Sequence, residues 1–414
     1  MKKMNIIGAS TLAALEGNLV TTRLPNVLRR AVRWGSNAVG IACLMITTAA
    51  GALAASETWD AFASGTGVTG PVRAVTTFGG DLIVGGQFGG AGGVPGTFVI
   101  ARWDGTAWSA LGGGLNDTVM SLATFDDGSG SGTELYAGGY FTTAGGSAAN
   151  YIAKWDGYTW SPLGTGMNGE VYSLTTFNGA LYAGGAFTKA GGTTVNRIAK
   201  WNGSAWSKVA NGMNGNVHAL TTFGTDLIAG GAFTKVGSTT GFNRIAKWNG
   251  STWSKLGTGV GGISTVFALT SFNGGLIVGG QFATTGGGVV TPGIARWSGT
   301  TWSALGSGLN NTVKSLATFD DLSGSGTELY VGGYFTATGG SAAIPAVHIA
   351  RWNGAWSAVG SGMVVTQPSD TYPRGVFALS PNPSGDLLYA GGFCEVSPST
   401  AGVAAYLMGY HWVP

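Results

Sequence analysis

The chain has 414 residues, of which 76 are glycine and only 9% are charged, a balance far from globular averages. Fifteen tryptophans exclude a disordered chain, because large apolar side chains bury enough surface to offset ordering entropy, and no Gly-X-Y period supports collagen. The whole-chain net charge of +3 makes a nucleic-acid partner an open question only until the distribution of that charge is read.

Residues 1–54 differ in kind from the rest. Lys2, Lys3, Arg23, Arg29, Arg30 and Arg33 face one acid, Glu16, and the apolar run AVGIACLMITTAAGALA follows over 38–54. A basic region, an apolar region and a small-x-small end make a secretory signal peptide, cleaved near Ala54, and Arg29-Arg30 adds a hint of twin-arginine export. The rival is an anchor that stays attached, but the run is marginal in length for spanning and diluted by Ala, Gly and Thr. The expected location is therefore secreted or cell envelope, with no stable membrane span after leader removal. The leader takes six basic residues and one acid from totals of 21 and 18, leaving 15 against 17. The basic balance belongs to the leader, and the remaining chain carries no expected footprint for nucleic acid. Cys394 then stands alone, which forbids an intrachain disulfide and reads as a small core residue.

From residue 55 on, one frame repeats: V-x-[A/S]-[L/V]-x-x-F, then L-[Y/I]-[A/V]-G-G-x-F, then I-A-[K/R]-W, then W-S-x-[L/V]. It starts at Val72, Val119, Val171, Val217, Val266, Val313 and Val376. Each unit offers four short strand-like runs separated by Gly, Asn, Asp, Ser or Thr, and none has a helical period. Four strands every 45–50 residues predict an all-β chain, a β-propeller of four-stranded antiparallel blades. Asp104-Gly105, Asp156-Gly157, Asn202-Gly203, Asn249-Gly250 and Asn353-Gly354 read as tight hairpin turns with both central residues at positive φ. The Gly-Gly pairs read as bare backbone on which a bulky neighbour lies flat. The seventh unit stops short of its last strand, and TWDAFASGTG (58–67) has the matching pattern at Trp59 and Phe62. The expectation is a seven-bladed ring over 55–414, its last blade closed by an N-terminal strand. Units one and two also match units five and six at an offset of 194 residues, a duplicated two-blade block.

The Gly-Gly, aromatic, Trp order of this frame resembles kelch repeats. Its fuller form, GG-x-FT-x-AGG with IAKW(D/N)G-x-x-W, is similar to repeats in secreted bacterial kelch-like propellers and in cortical cell-polarity proteins, over about 57–414. It departs from kelch in having Trp where Tyr is usual and five residues between the two aromatics. The resemblance implies a propeller used mainly for binding and names no partner. The galactose oxidase-like propeller superfamily has a similar architecture, but the Cys-linked Tyr and paired His ligands of its copper radical oxidases have no matching motif, since Cys394 directly follows a Gly-Gly-Phe.

Catalysis needs residues that break the frame. His218, His348 and His411 fall in three units at different frame positions, so spacing assembles neither a metal site nor a Ser-His-Asp triad. Two DD-x-SGSGTE loops, with Asp126, Asp127, Glu134 and Asp320, Asp321, Glu328, form a weak Ca²⁺ candidate, although their spacing is not that of an EF-hand and such residues are ordinary in turns. No other cofactor is expected. Arg102, Lys154, Lys200, Lys247, Arg296 and Arg351 recur before the first Trp and read as structural charges stacked on aromatics or reaching solvent.

Two positions vary while the frame stays fixed. The residue after the starting Val is Arg73, Met120, Tyr172, His218, Phe267, Lys314 or Phe377, and the residue after Gly-Gly includes Gln87, Tyr140, Gln281 and Tyr334. Antiparallel pairing brings the start of the first strand beside the end of the second, so both sets should crowd one face around the central mouth. The variable loops 189–197, 235–244 and 336–348 should open on that face. The reading is an exported, non-catalytic, monomeric binding or scaffold propeller that recognises a protein or glycan partner there. Its alternatives are a carbohydrate-active enzyme (lyase, hydrolase or oxidase-like) on the same face, and a structural cell-surface component; a further alternative is that the varied positions merely fill the channel.

Overall fold

The computed structural model describes residues 58–61, 67–262, 264–320, 325–360, 362–363, 374–385, 387–393 and 405–409. The expected leader at 1–54, Cys394, Phe62, His411 and Asp321 lie outside the described residues. All the described strands fall in one compact unit, Ser56–Pro414.

Six blades each have four strands in a sheet order equal or reversed to the chain order, and in three of them a small two-stranded hairpin interrupts the chain between the second and third. The first has Val72–Phe78 innermost, then Asp81–Gly86, Ile100–Trp103 and Trp108–Ser109. The inner strands of the next five are Val119–Asp126, Val171–Phe177, Val217–Phe223, Thr265–Phe272 and Val313–Asp320. The count of seven such blades is corrected to six. The remaining four-stranded sheet is not a repeat blade but a composite of both chain ends: Gly375–Pro381, Leu387–Phe393, Ala405–Gly409 and, outermost, Thr58–Ala61. Thr58 pairs with Gly409 and Ala61 with Tyr406. The physical reason is that the last repeat has no fourth strand of its own after Ala405–Gly409 among the described residues, so an edge that six blades cover locally is covered here from the other terminus.

The frame glycines are bare backbone that a neighbouring blade approaches closely. A β-carbon on Gly85 would come within 2.6 Å of Val119 Cγ1 in the next blade, and one on Gly279 within 2.5 Å of Val313 Cγ1. The first glycine of each pair is thus a slot for one particular neighbour, the starting valine of the following blade. Gly391 of the composite sheet receives Val72 in the same way, so this sheet stands between the sixth and first blades. The second glycine lies against a carbonyl of its own blade, as Gly86 does against Pro71 O. Apolar clusters fill the spaces between neighbouring sheets; one joins Tyr136 and Ile152 to Leu174, Leu181 and Phe187.

Each Trp pair faces itself across the two outer strands, as Trp155 does Trp160, with ring centroids 5.4 Å apart. The second Trp reaches back to the preceding blade: Trp160 Nε1 donates to Leu111 O at 2.9 Å and Trp356 Nε1 to Leu305 O at 3.0 Å. Between the two tryptophans runs a four-residue loop rather than a two-residue turn. Asp104 Oδ1 accepts from the N–H groups of Thr106 and Ala107, both at 2.8 Å, and only Gly105 takes positive φ.

Candidate binding face at the channel mouth

A β-bulge creates the mouth. In every inner strand the register shifts between the starting valine and the residue two further on, so Val217 pairs with Gly231 and Ala219 with Gly230, which leaves His218 unpaired. The same shift sets aside Arg73, Met120, Tyr172, Phe267, Lys314 and Phe377. A bulge frees one residue from the ladder and re-aims its side chain. Here the freed side chains meet around a cavity of about 220 Å³ lined in part by Arg73, Met120, His218, Phe267 and Phe377.

The contacts form a collar. Tyr140 and Tyr172 have ring centroids 6.1 Å apart, Tyr172 stacks on His218 at 4.8 Å with planes inclined 12°, and His218 meets Phe267 at 5.3 Å. Lys314 Nζ lies 3.3 Å above the Phe267 centroid and 5.1 Å from that of Tyr334. Tyr334 meets Phe377 edge-on at 5.6 Å, and the Arg73 guanidinium lies 4.5 Å over Phe377. Cation–π contacts of this kind strengthen as water is excluded. The residues after Gly-Gly are held by a backbone bond across the bulge, Tyr140 N–H to Thr118 O and Tyr334 N–H to Thr312 O, both 2.9 Å. Gln87 and Gln281 stand exposed above the ring, while Tyr140 is 37% exposed.

Burial, with Lys314 as a second cause, lowers the His218 pKa to about 4, so its imidazole is neutral at pH 7 and stacks as an uncharged ring. Burial and then the charge of Arg73 lower Lys314 to about 8. Tyr172 is pushed up by burial and Tyr334 likewise, so both phenols stay protonated donors. Arg73 Nε is buried without a hydrogen-bond partner.

One further position faces this rim and was not singled out from sequence. The residue before Ile-Ala-[Lys/Arg]-Trp takes positive φ in six blades: Val99, Tyr151, Arg197, Arg244, Gly293 and His348. Its N–H donates to a phenylalanine carbonyl and its C=O accepts from the second frame glycine, as in Arg197 N–H to Phe187 O and Gly185 N–H to Arg197 O. Its variation between two constant residues is the signal that could have found it. Arg197 bonds Ala186 O and Arg244 Nε bonds Ser264 O, so both guanidinium groups stay on the rim. The loops beside them carry two-residue hairpins, Lys189–Ala190 with Thr193–Thr194 and Lys235–Val236 with Thr239–Thr240.

The calcium candidates do not converge as free ligands. Asp126 Oδ1 accepts from Gly128 N–H at 2.9 Å, while Asp127 and Glu134 both receive Lys154 Nζ, at 2.9 and 2.8 Å, with the Tyr136 hydroxyl beside them. The ammonium holds the place a cation would take. Glu328 pairs with Arg351 at 3.4 Å and accepts from Asn353 Nδ2, Asp320 is half-buried, and Asp321 is outside the described residues. Four of the six recurring frame cations, Arg102, Lys154, Lys247 and Arg351, are thus ion-pair partners of acids, as Lys247 is of Asp226 at 3.2 Å, while Arg296 donates to Asn273 O.

Among known proteins, the family described as the Rax2 C-terminal β-propeller domain matches residues 104–275. No protein with a curated description matches the chain. The structure resembles the extracellular domain of a one-component-system protein from B. thetaiotaomicron, at 12% identity and TM-score 0.51, over 85% of this chain and 39% of that one. It also resembles the WD40 β-propeller domain of Doa1, at 13% identity and TM-score 0.49, over 86% of this chain and 98% of that one. The chain is a β-propeller repeat protein. No helix among the described residues is long and apolar enough to cross a membrane.

Proposed function

We propose that the chain is a non-catalytic binding or scaffold module whose working surface is the mouth collar, and that it acts at the cell surface or outside the cell on a protein or glycan partner. The observation that carries this reading is the bulge. Each inner strand frees one side chain from the ladder, and those side chains differ in chemistry while everything that holds them repeats. A rigid ring presenting varied aromatic, amide and cationic groups suits recognition. The collar's chemistry supports binding over acid–base catalysis: its one imidazole is neutral and meets two aromatic rings rather than a carboxylate. The basic and apolar residues 1–54 and the extracellular placement of the B. thetaiotaomicron domain support a location outside the cell. The kelch likeness belongs to this same reading.

The test is a glycan array and an envelope-extract pull-down with the full chain beside the triple variant Arg73→Ala, Tyr140→Ala, Tyr334→Ala. The reading expects the variant, folded by its melting curve, to lose hits that the parent chain makes. Hits that survive the triple change unaltered would move the working surface elsewhere.

A further inference from the structure

Charge is divided between the two rims. At the rim where inner strands begin and second strands end lie Arg73, Lys189, Arg197, Lys235, Arg244 and Lys314, against the acids Asp117 and Glu170. The opposite rim carries the hairpin and turn acids, among them Asp81, Asp127, Glu134 and Glu328, mostly tied to the frame cations. Among the described residues, the rim around the mouth is therefore the cationic one. Clefts lined by one sign of charge concentrate ligands of the other.

Inside the mouth two cations are held together. Arg73 lies over Phe377 and Lys314 over Phe267, and the edge-on pair Phe377–Tyr334 stands between them, with Lys314 Nζ 5.1 Å from the Tyr334 centroid. Neither makes an ion pair among the described residues, and Arg73 Nε is buried without a partner. Glu170, the one carboxylate that acts on the collar, acts on Tyr172, three members round from Lys314. Two partly desolvated like charges repel unless an anion sits between them, and a guanidinium fork takes a carboxylate through two parallel bonds. The cavity, about 220 Å³, is below the range of drug-sized sites, so it suits one small ring. Its lining includes Arg73, His218 and Phe267, with Lys314 Nζ over the Phe267 ring.

We propose that the mouth binds a carboxylated sugar unit of the uronate type, with its carboxylate between Arg73 and Lys314 and its ring against His218 and Phe267. The rim cations Arg197 and Arg244 then lie where further units of an acidic glycan would pass. The inference deepens, and rests on, the reading of the mouth as the working surface.

Isothermal titration of the full chain with glucuronate, glucose, glutamate and inorganic sulfate tests it. Glucuronate should bind at least tenfold more tightly than each of the others. Arg73→Gln and Lys314→Met should each weaken it tenfold or more, with melting curves showing the variants folded and the exposed Lys208→Gln unchanged. Glucose binding equal to glucuronate would refute the charge pair, and glutamate or sulfate binding equal to it would refute the sugar. No heat with any probe, while the mouth triple variant still abolishes array or pull-down hits, would overturn this inference alone. Hits indifferent to mouth variants would remove the reading beneath it as well.

Discussion

The blade junction allows a sharp energetic test at Gly184 and Val217. A β-carbon on Gly184 would lie 2.5 Å from Val217 Cγ1, 3.1 Å from its Cβ and 3.3 Å from Leu220 Cδ1, all in buried side chains. Non-bonded carbons rest at about 3.5–4.0 Å, so the valine must retreat by about 1 Å. Gly184→Ala should therefore cost about 1–3 kcal/mol through overpacking. Val217→Ala removes two fully buried methyl groups and should cost about 2–3 kcal/mol, at about 0.8 kcal/mol each plus a cavity. In the double variant the new methyl at 184 enters the space vacated at 217. The double cost should then fall below the sum by about 1–2 kcal/mol, the coupling expected of groups in contact. Urea unfolding followed by tryptophan fluorescence reads all four corners, since the tryptophans sit in the outer strands of every repeat blade. Costs that add to within about 0.5 kcal/mol would show that Gly184 is not a slot for Val217. The same cycle at Gly391 and Val72 should couple with the same sign if the composite sheet packs on the first blade as a repeat blade would.

Gly293→Val should destabilise by about 1–3 kcal/mol in urea, because its φ of +73° and the nearby Asn311 carbonyl oppose a β-branched side chain; an unchanged midpoint would refute that strain. Lys154→Met strands the buried carboxylates of Asp127 and Glu134 and should cost about 3–5 kcal/mol at pH 7. In the parent chain Asp127 is held near pKa 2, below its unfolded value, by hydrogen bonds from Ser129 and by Lys154, so its contribution is present above pH 4 and fades as pH falls towards 2. In the variant, protonation at pH 4 relieves the stranded carboxylates, so the deficit measured there should be smaller than at pH 7, and a deficit that grows in acid would refute the pairing. Lys314, facing Arg73, Phe267, Tyr334 and His218, loses its proton near pH 8, so glucuronate affinity should fall between pH 7 and 9 in the parent chain and stay flatter in Lys314→Met. Because its folded pKa lies below its unfolded one, the unfolded chain binds more protons between about pH 8 and 10, and that one group makes stability rise with pH there.

How much of this was legible depended on whether the controlling contact is local. Strands, their order within a unit and the Trp pairs are written in residues close together, so the frame from Val171 to Lys208 reads directly as four strands. The frame glycines were legible as bare backbone for a close neighbour, but which neighbour was not, because their partner, such as Val217 for Gly184, belongs to the next repeat. The Asp104 loop was misread because a bare Asp-Gly does not show how many residues separate the flanking pair; Trp103 facing Trp108 leaves four. The pairing of Thr58–Ala61 with the end of the chain was legible in the unfinished seventh unit, but counting frame starts gave seven blades because a start does not guarantee four strands of its own. The varied positions around the mouth were visible as departures from a constant frame. The cationic rim was not, since a near-neutral total conceals a separation that only strand direction reveals.

The bulge explains how one fold can keep a fixed frame and a changeable face. A residue in the ladder, such as Val217, is answerable to its pair, to the glycine of the preceding blade and to the core; exchanging it disturbs all three. The neighbouring His218 has no ladder partner, and its two ring contacts, Tyr172 and Phe267, are bulged collar members as well. Its chemistry can therefore change without touching the junctions that hold the ring, which is why arginine, methionine, tyrosine, histidine, phenylalanine and lysine all occur at equivalent places. Stability and recognition are thereby assigned to adjacent residues along the same strand. Duplicating a two-blade block, as units one–two and five–six show, copies the frame intact, and Arg73 beside Phe267 or Met120 beside Lys314 shows where the copies have since parted.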